Sequence, residues 1–327
     1  MNRFLYFIAL LFLFSCNSQN KNEVSHDICY NSNISLTNYY YHVGKIDSSH
    51  LFLQNALGQN ELIPQDYLIA LKIYLSKNIR NKATPLLRLM IHYGYKYESL
   101  NKEEEVLEFF AQNTNLANSL KAQSIERKEF LAKLPISIIV DSLFNADQDN
   151  RRVNFGNNKQ TFISVEESIR MELVQTILQD YGVPTIQEIG FRTHGKLFTL
   201  LLHNFYNSKD TYDINNMITE SYENRKYSCL EYGMMIDRKS IIETGYSKYA
   251  IAGEFDENSN YTFGFSVKEI DKLDSIRYFS LGLTSLKNQA EMSGAQIPNN
   301  YKPHQYICKL EPKKLSSSKD TIFIPTN

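Results

Sequence analysis

The chain has no tryptophan and almost no net charge: 35 Lys and Arg stand against 36 Asp and Glu over 327 residues. A nucleic-acid-binding protein needs a basic excess gathered on one face, so this balance excludes nucleic acid as a partner. The familiar catalytic signatures are missing too. There is no Gly-x-Ser-x-Gly elbow, no phosphate loop and no His-Glu-x-x-His pair. His194 and His203 are nine apart and share no helical face, which argues against a zinc pair. No cofactor and no metal is expected. Cysteine is scarce at four residues, Cys16, Cys29, Cys229 and Cys308, spaced too widely for a zinc pattern.

What is present begins at the amino terminus. Residues 1–16 read MNRFLYFIALLFLFSC, with Arg3 the one charge and an apolar run from Phe4 to Phe14. That run is shorter than the ~20 apolar residues a bilayer span requires, and a charged start before a short apolar core is the secretory pattern. Leu13-Phe14-Ser15-Cys16 resembles the lipobox of bacterial lipoproteins. The resemblance implies removal of residues 1–15 and lipidation of Cys16, with a membrane as the first partner. Two or three acyl chains give stable anchoring where one is marginal. Asn17 follows in place of the Asp that retains such proteins at the inner membrane, so the expected location is the cell envelope at the outer membrane. Residues 16–31 read as lipid anchor and polar tether. With Cys16 lipidated, an oxidising compartment leaves three readings open: a Cys229–Cys308 disulfide, a Cys29–Cys308 disulfide, or buried free thiols.

Residues 32–125 carry a weak repeat with a period of 34. Gly44-Lys45-Ile46-Asp47 with Ser49, Leu53, Ala56 and Leu57 aligns on Asn78-Ile79-Arg80-Asn81 with Ala83, Leu87, Met90 and Ile91. The small residue opens the second helix of each unit, and the large apolar ones follow on one face. Pro85 is placed near the start of that helix, where proline is tolerated. This arrangement resembles tetratricopeptide repeats, and Gly94 onward resembles the closing segment after them. The resemblance implies either a concave surface for a protein or peptide partner in the envelope, or a helical brace.

Residues 126–310 predict an α-rich domain with a small β element. Ile169, Leu173, Val174, Ile177 and Leu178 form an apolar stripe ended by Gly182 and Pro184. Helices follow from Gly195, from Asp213 as N-cap and from Cys229 to Ile242; Tyr249–Ala252 and Tyr261–Val267 read as extended, and Asp271–Phe279 as helix closed by Gly282. Residues 311–327 read as a tail, either loose or adding one edge strand.

Several short motifs stand in this region. Asp147-Gln148-x-x-Arg151, Gly182-x-Pro184, Gly190, His203 at the end of an apolar helix, Asp237-Arg238 and Arg277 before Gly282-Leu283 occur in that order. In order and spacing they resemble the bacterial domain-of-unknown-function family 6624 over about residues 143–286. That family carries Gln-x-Tyr-Gly-Thr-Gln where this chain has Ser247 to Ala252; Tyr249 survives and both glutamines are lost. The resemblance implies a binding role for Asp147, Gln148, Arg151, Tyr249 and Arg277. Read for chemistry, His203 with Asp237 as its carboxylate and Arg238 or Arg277 at the rim form a general-base centre, possible in a hydrolase or ligand-binding domain. Read for structure, the same residues are buried salt bridges and a core histidine. The leading expectation is a mainly α, non-catalytic envelope lipoprotein that binds a protein or peptide; the second is an enzyme or small-ligand domain centred on His203 and Asp237.

Overall fold

A computed structural model describes residues 28–155, 165–204, 211–251, 254–255, 261–262, 267, 270–297 and 301. Cys16, the signal segment, the 311–327 tail and the Arg151 side chain lie outside these residues. The protein is mainly α. The helices are α1 (residues 28–42), α2 (Ile46–Leu57), α3 (Tyr67–Ser76), α4 (Arg80–His92), α5 (Tyr97–Leu100), α6 (Glu104–Gln112) and α7 (Thr114–Ala132). Then come α8 (Pro135–Phe155), α9 (Val165–Tyr181), α10 (Ile186–Asn204), α11 (Thr211–Glu223), α12 (Cys229–Thr244), α13 (Leu273–Leu281) and α14 (Leu286–Ser293). A two-stranded sheet pairs β1 (Glu254–Phe255) with β2 (Tyr261–Thr262); the expected extended stretch at Tyr249–Ala252 forms no strand over residues 249–251, and residues 263–266 lie outside the described residues.

Two interhelical turns, α1–α2 and α3–α4, share one hydrogen-bond pattern. In the first hairpin the turn is closed by the Gly44 amide on Tyr41 and the Lys45 amide on Tyr40; in the second, by Asn78 on Leu75 and Ile79 on Tyr74. Both turns need a left-handed residue, supplied by Gly44 (φ 74°) and Asn78 (φ 56°), the two residue types that tolerate it best. Ser49 and Ala83 are fully buried at matching positions. The Ser49 hydroxyl donates to the Thr37 carbonyl at 2.7 Å, which holds α2 close to α1. Pro85 lies in the second turn of α4, deeper than expected; the helix continues through it because Leu86, Leu87, Met90 and Ile91 are all buried.

The chain forms two compact units, and they do not follow the expected linear division at residue 125. One unit joins α1 and α2 with α13 and α14. Here the expected tether is shorter than residues 16–31, because residues 28–31 already belong to α1 and Cys29, Tyr30 and Asn31 are buried. The pairing is tight: a Cβ at Gly282 would collide with the Ile28 carbonyl oxygen. Tyr39 donates to Glu291 at 3.2 Å. Asp274, on α13, accepts from the Leu286 amide at 2.8 Å and the Tyr301 hydroxyl at 2.6 Å.

The other unit holds α3 to α12. Its first half is two helical hairpins, α3/α4 and α6/α7, with α3 packed on α6 and α4 on α7. Its second half gathers α8 to α12 round Val140, Val174, Leu197, Leu200, Leu201, Ile218 and Met235. Val174, Ile177 and Leu178 of the expected stripe are buried, whereas Leu173 is exposed. Helix α11 starts at Thr211, so Asp213 lies inside it rather than capping it.

Helix α10 begins earlier than expected and breaks at Gly190, whose φ 76° and ψ 158° are open to glycine alone. At this break the Phe191 amide donates to the Tyr93 carbonyl at 3.0 Å. Gly94 approaches from the other side, and Leu131 fills the angle, so a Cβ at Gly190 would lie 2.6 Å from Leu131 Cδ1. Gly190→Ala therefore meets both backbone strain and a clash. We expect it to lower unfolding free energy by about 1–3 kcal/mol in urea titrations, and a change under about 0.3 kcal/mol would show that the break relaxes freely.

Candidate functional site

Past Gly190, α10 lies along α8, and polar pairs at a constant offset join the two helices. Thr193 donates to Ser137 at 3.2 Å, Lys196 to Asp141 at 2.7 Å, and His203 Nδ1 stands 2.8 Å from Asp147 Oδ2. The residue separations are 56, 55 and 56, so the helices run parallel and the pairs form one seam. Asp147 is 1% exposed, and Gln148 donates to the same carboxylate oxygen at 3.0 Å. The His203 side chain is 24% exposed. A buried carboxylate thus holds the ring by Nδ1, and the side chain remains partly exposed.

This corrects the expected pairing. The carboxylate of His203 is Asp147, one helix away, and not Asp237. Asp237 is 1% exposed on α12 and serves the loop that follows the helix. Its Oδ1 accepts from the Lys248 and Tyr249 amides at 2.9 and 2.6 Å, its Oδ2 from the Ile251 amide at 2.7 Å, and the Ser247 hydroxyl adds a fourth bond. Burial pushes this carboxyl above the ordinary range while those four donors pull it down. With its lone pairs given to backbone amides, Asp237 has the make-up of a loop anchor, not of a proton acceptor. Ala250, at the glycine of the Gln-x-Tyr-Gly-Thr-Gln pattern, has a left-handed φ of 50°.

The remaining expected residues separate in the same way. Tyr249 is buried beside Asp237, with Lys248 Nζ 5.0 Å from its ring centre, while Arg238 is exposed. Arg277 belongs to the other unit, where it is 1% exposed; its Nε donates to the Thr284 carbonyl at 3.1 Å and its Nη2 to Gln289. Asp147, Gln148 and His203 meet on the α8–α10 seam, and Asp237 and Tyr249 meet at the loop after α12. Among the described residues no three His, Cys, Asp or Glu side chains are placed to hold a metal ion.

No family model, no curated protein and no solved structure matches the chain.

A second polar group was not anticipated as a site. Ser228 and Glu231 form a reciprocal cap at the start of α12, readable in sequence as Ser-x-x-Glu. Glu231 Oε2 also accepts from Gln65 at 2.9 Å, and its Oε1 lies 3.7 Å from His194 Nδ1. His194 is buried against Tyr227, ring centres 5.3 Å apart. Beside them Cys229 is a free, buried thiol, pushed up to about 12 by burial and by the nearby Asp66 and Glu231 charges.

Two measurements follow. The Asp147–His203 rung is expected to show a coupling of about 1–3 kcal/mol in a double-mutant cycle of Asp147→Ala and His203→Ala, read from urea unfolding; additive effects would remove it from the seam. Burial holds the His194 ring below the ordinary histidine value, against the pull of Glu231. The unfolded chain therefore takes up this proton first, at about pH 6.5. Stability contributed above that pH is lost as pH falls below it, at no more than ~1.4 kcal/mol per pH unit for one proton. The difference in unfolding free energy between native protein and His194→Gln should shrink from pH 7 to pH 5; a difference independent of pH would contradict the assignment.

Proposed function

We propose that this protein is an exported, lipid-anchored lipoprotein of the bacterial envelope that binds a protein or peptide partner without catalysis. The observation that carries the partner-binding reading is the stack of α3/α4 on α6/α7, A helix on A helix and B helix on B helix, as in tetratricopeptide arrays. Such stacks present a continuous helical face, and Leu107 on α6 is 50% exposed. The polar residues expected to form a centre are instead engaged in helix packing and loop anchoring. That distribution supports a binding role, because a buried charge committed to backbone amides has little left to give to a substrate.

Export draws support from the cysteines. Cys29 is disulfide-bonded and Cys229 is free, so the Cys229–Cys308 pairing is ruled out. Cys16 and Cys308 lie outside the described residues. Disulfides persist outside the reducing cytosol. No helix among the described residues is long and apolar enough to cross a membrane, so in this reading attachment rests on Cys16.

The test is fractionation followed by crosslinking in the native host. Tagged protein should pellet with membranes, and Cys16→Ser should move it to the soluble fraction. A crosslinkable residue at position 107 should trap one discrete partner, while the same probe at Tyr181, exposed on α9, should not. Soluble behaviour of the unchanged chain would overturn the anchor; equal trapping at both positions, or none, would overturn partner binding by the stack.

A further inference from the structure

A helix that is apolar all the way round is normally covered all the way round, whereas a surface helix carries charge on the side that meets water. The first half of α8 is of the former kind. Residues 135–146 read PISIIVDSLFNA, with Asp141 the one charge. Ile136, Val140 and Leu143 are buried in the α8–α12 core. On the opposite side Ile138 is 57% exposed and Ile139 39%. An α-helix turns by about 100° per residue, so Pro135, Ile138, Ile139, Ser142, Asn145 and Ala146 share one face, within roughly 60° of the Ser142 direction. All of them are exposed and none carries charge. Asp141 borders this face and is held by Lys196 at 2.7 Å. The preceding helix does the opposite: α7 presents Lys121, Glu126, Lys128 and Glu129 to solvent.

Charge and shape together select what covers the face. An uncharged surface offers nothing to a basic or an acidic partner. A lipid surface would leave Ser142 and Asn145 without hydrogen-bond partners, at a cost. A second copy of the same face avoids both difficulties. Two antiparallel helices crossing at Ser142 set the bulky end of each, Ile138 and Ile139, over the small and polar end of the other, Asn145 and Ala146. The Ser142 hydroxyl then meets its own counterpart at the twofold axis, and two hydroxyls can donate and accept between them. No like charges are opposed across this stretch. The first charge along the face, Asp149, lies beyond Ala146 and is paired with Arg152 at 3.3 Å. An isologous contact requires a patch that complements itself, and large residues at one end with small ones at the other, about one centre, provide that.

We propose that the exposed face of α8 is a homodimer interface, through which two copies of this chain pair antiparallel about Ser142. The face uses neither the stacked hairpins nor Cys16, so the proposal stands or falls apart from partner binding and from anchoring.

The test is disulfide trapping and sedimentation velocity on the full lipidated chain in detergent micelles. Under mild oxidation Ser142→Cys should form a covalent dimer much faster than Tyr181→Cys, an exposed position on α9. Cys229 does not compete, being buried and held as the thiol. The unchanged chain should sediment as a dimer in the micromolar range. Ile139→Glu enters a twofold interface twice and should weaken the dimer by about tenfold or more, with thermal unfolding of the chain unchanged. Should that variant not fold, Ile138→Ser makes the same test. The proposal is overturned if the unchanged chain is monomeric throughout that range, or if the two cysteine variants crosslink at equal rates. A dimer that survives folded Ile139→Glu and Ile138→Ser would be two chains sharing a micelle and would overturn it too. So would a different protein trapped by the Ser142→Cys chain in place of its own copy.

Discussion

The break in α10 at Gly190 is the constraint on which the α3–α12 unit depends. A continuous helix through that point would carry residues 191–204 in a different direction. The Phe191 amide, tied to the Tyr93 carbonyl, and the close approach of Gly94 set where the helix restarts. From there α10 runs parallel to α8, and the constant offset of the Ser137–Thr193, Asp141–Lys196 and Asp147–His203 pairs follows. Leu131, near the end of α7, occupies the angle of the break. The helical hairpins and the α8–α12 core thereby share one joint, and the joint works only because two glycines meet there.

Burying charge is costly unless donors surround it, and the protein meets that cost locally in each case. Asp237 collects three backbone amides and a hydroxyl from a loop that has little regular structure of its own. In the other unit Asp274 does the same for the start of α14 and for Tyr301. Each carboxylate turns an irregular segment into a fixed one. Asp147 differs, because its partner is a side chain that keeps an edge toward solvent.

Much of the helix content was legible in sequence because the apolar spacing is strong. The fourth helix was expected from Cys229 to Ile242 and runs Cys229–Thr244; the Gly282 stop is a left-handed cap at φ 71°. Residue type also marked two turns and two buried positions, Gly44 and Asn78 being left-handed and Ser49 and Ala83 buried. The N-cap at Asp213 and the full stripe with Leu173 were misplaced, because residue preference cannot tell which side of a helix its neighbours will cover. A list of charged residues carries no pairing. Asp147 and His203 are separated by 56 positions, and only helix packing decides that they meet.

The sequence by itself determined a mainly α chain with near-balanced charge and the helix ends at Cys229 and Gly282. These are properties of local spacing and composition, which act within a few turns of chain. The tertiary structure alone decided three things: that α1 and α2 group with α13 and α14, that Cys29 rather than Cys229 is disulfide-bonded, and which carboxylate each buried group received. Those depend on contacts between segments far apart in sequence. Such contacts are set by which faces can be buried together, and a one-dimensional pattern does not contain that information.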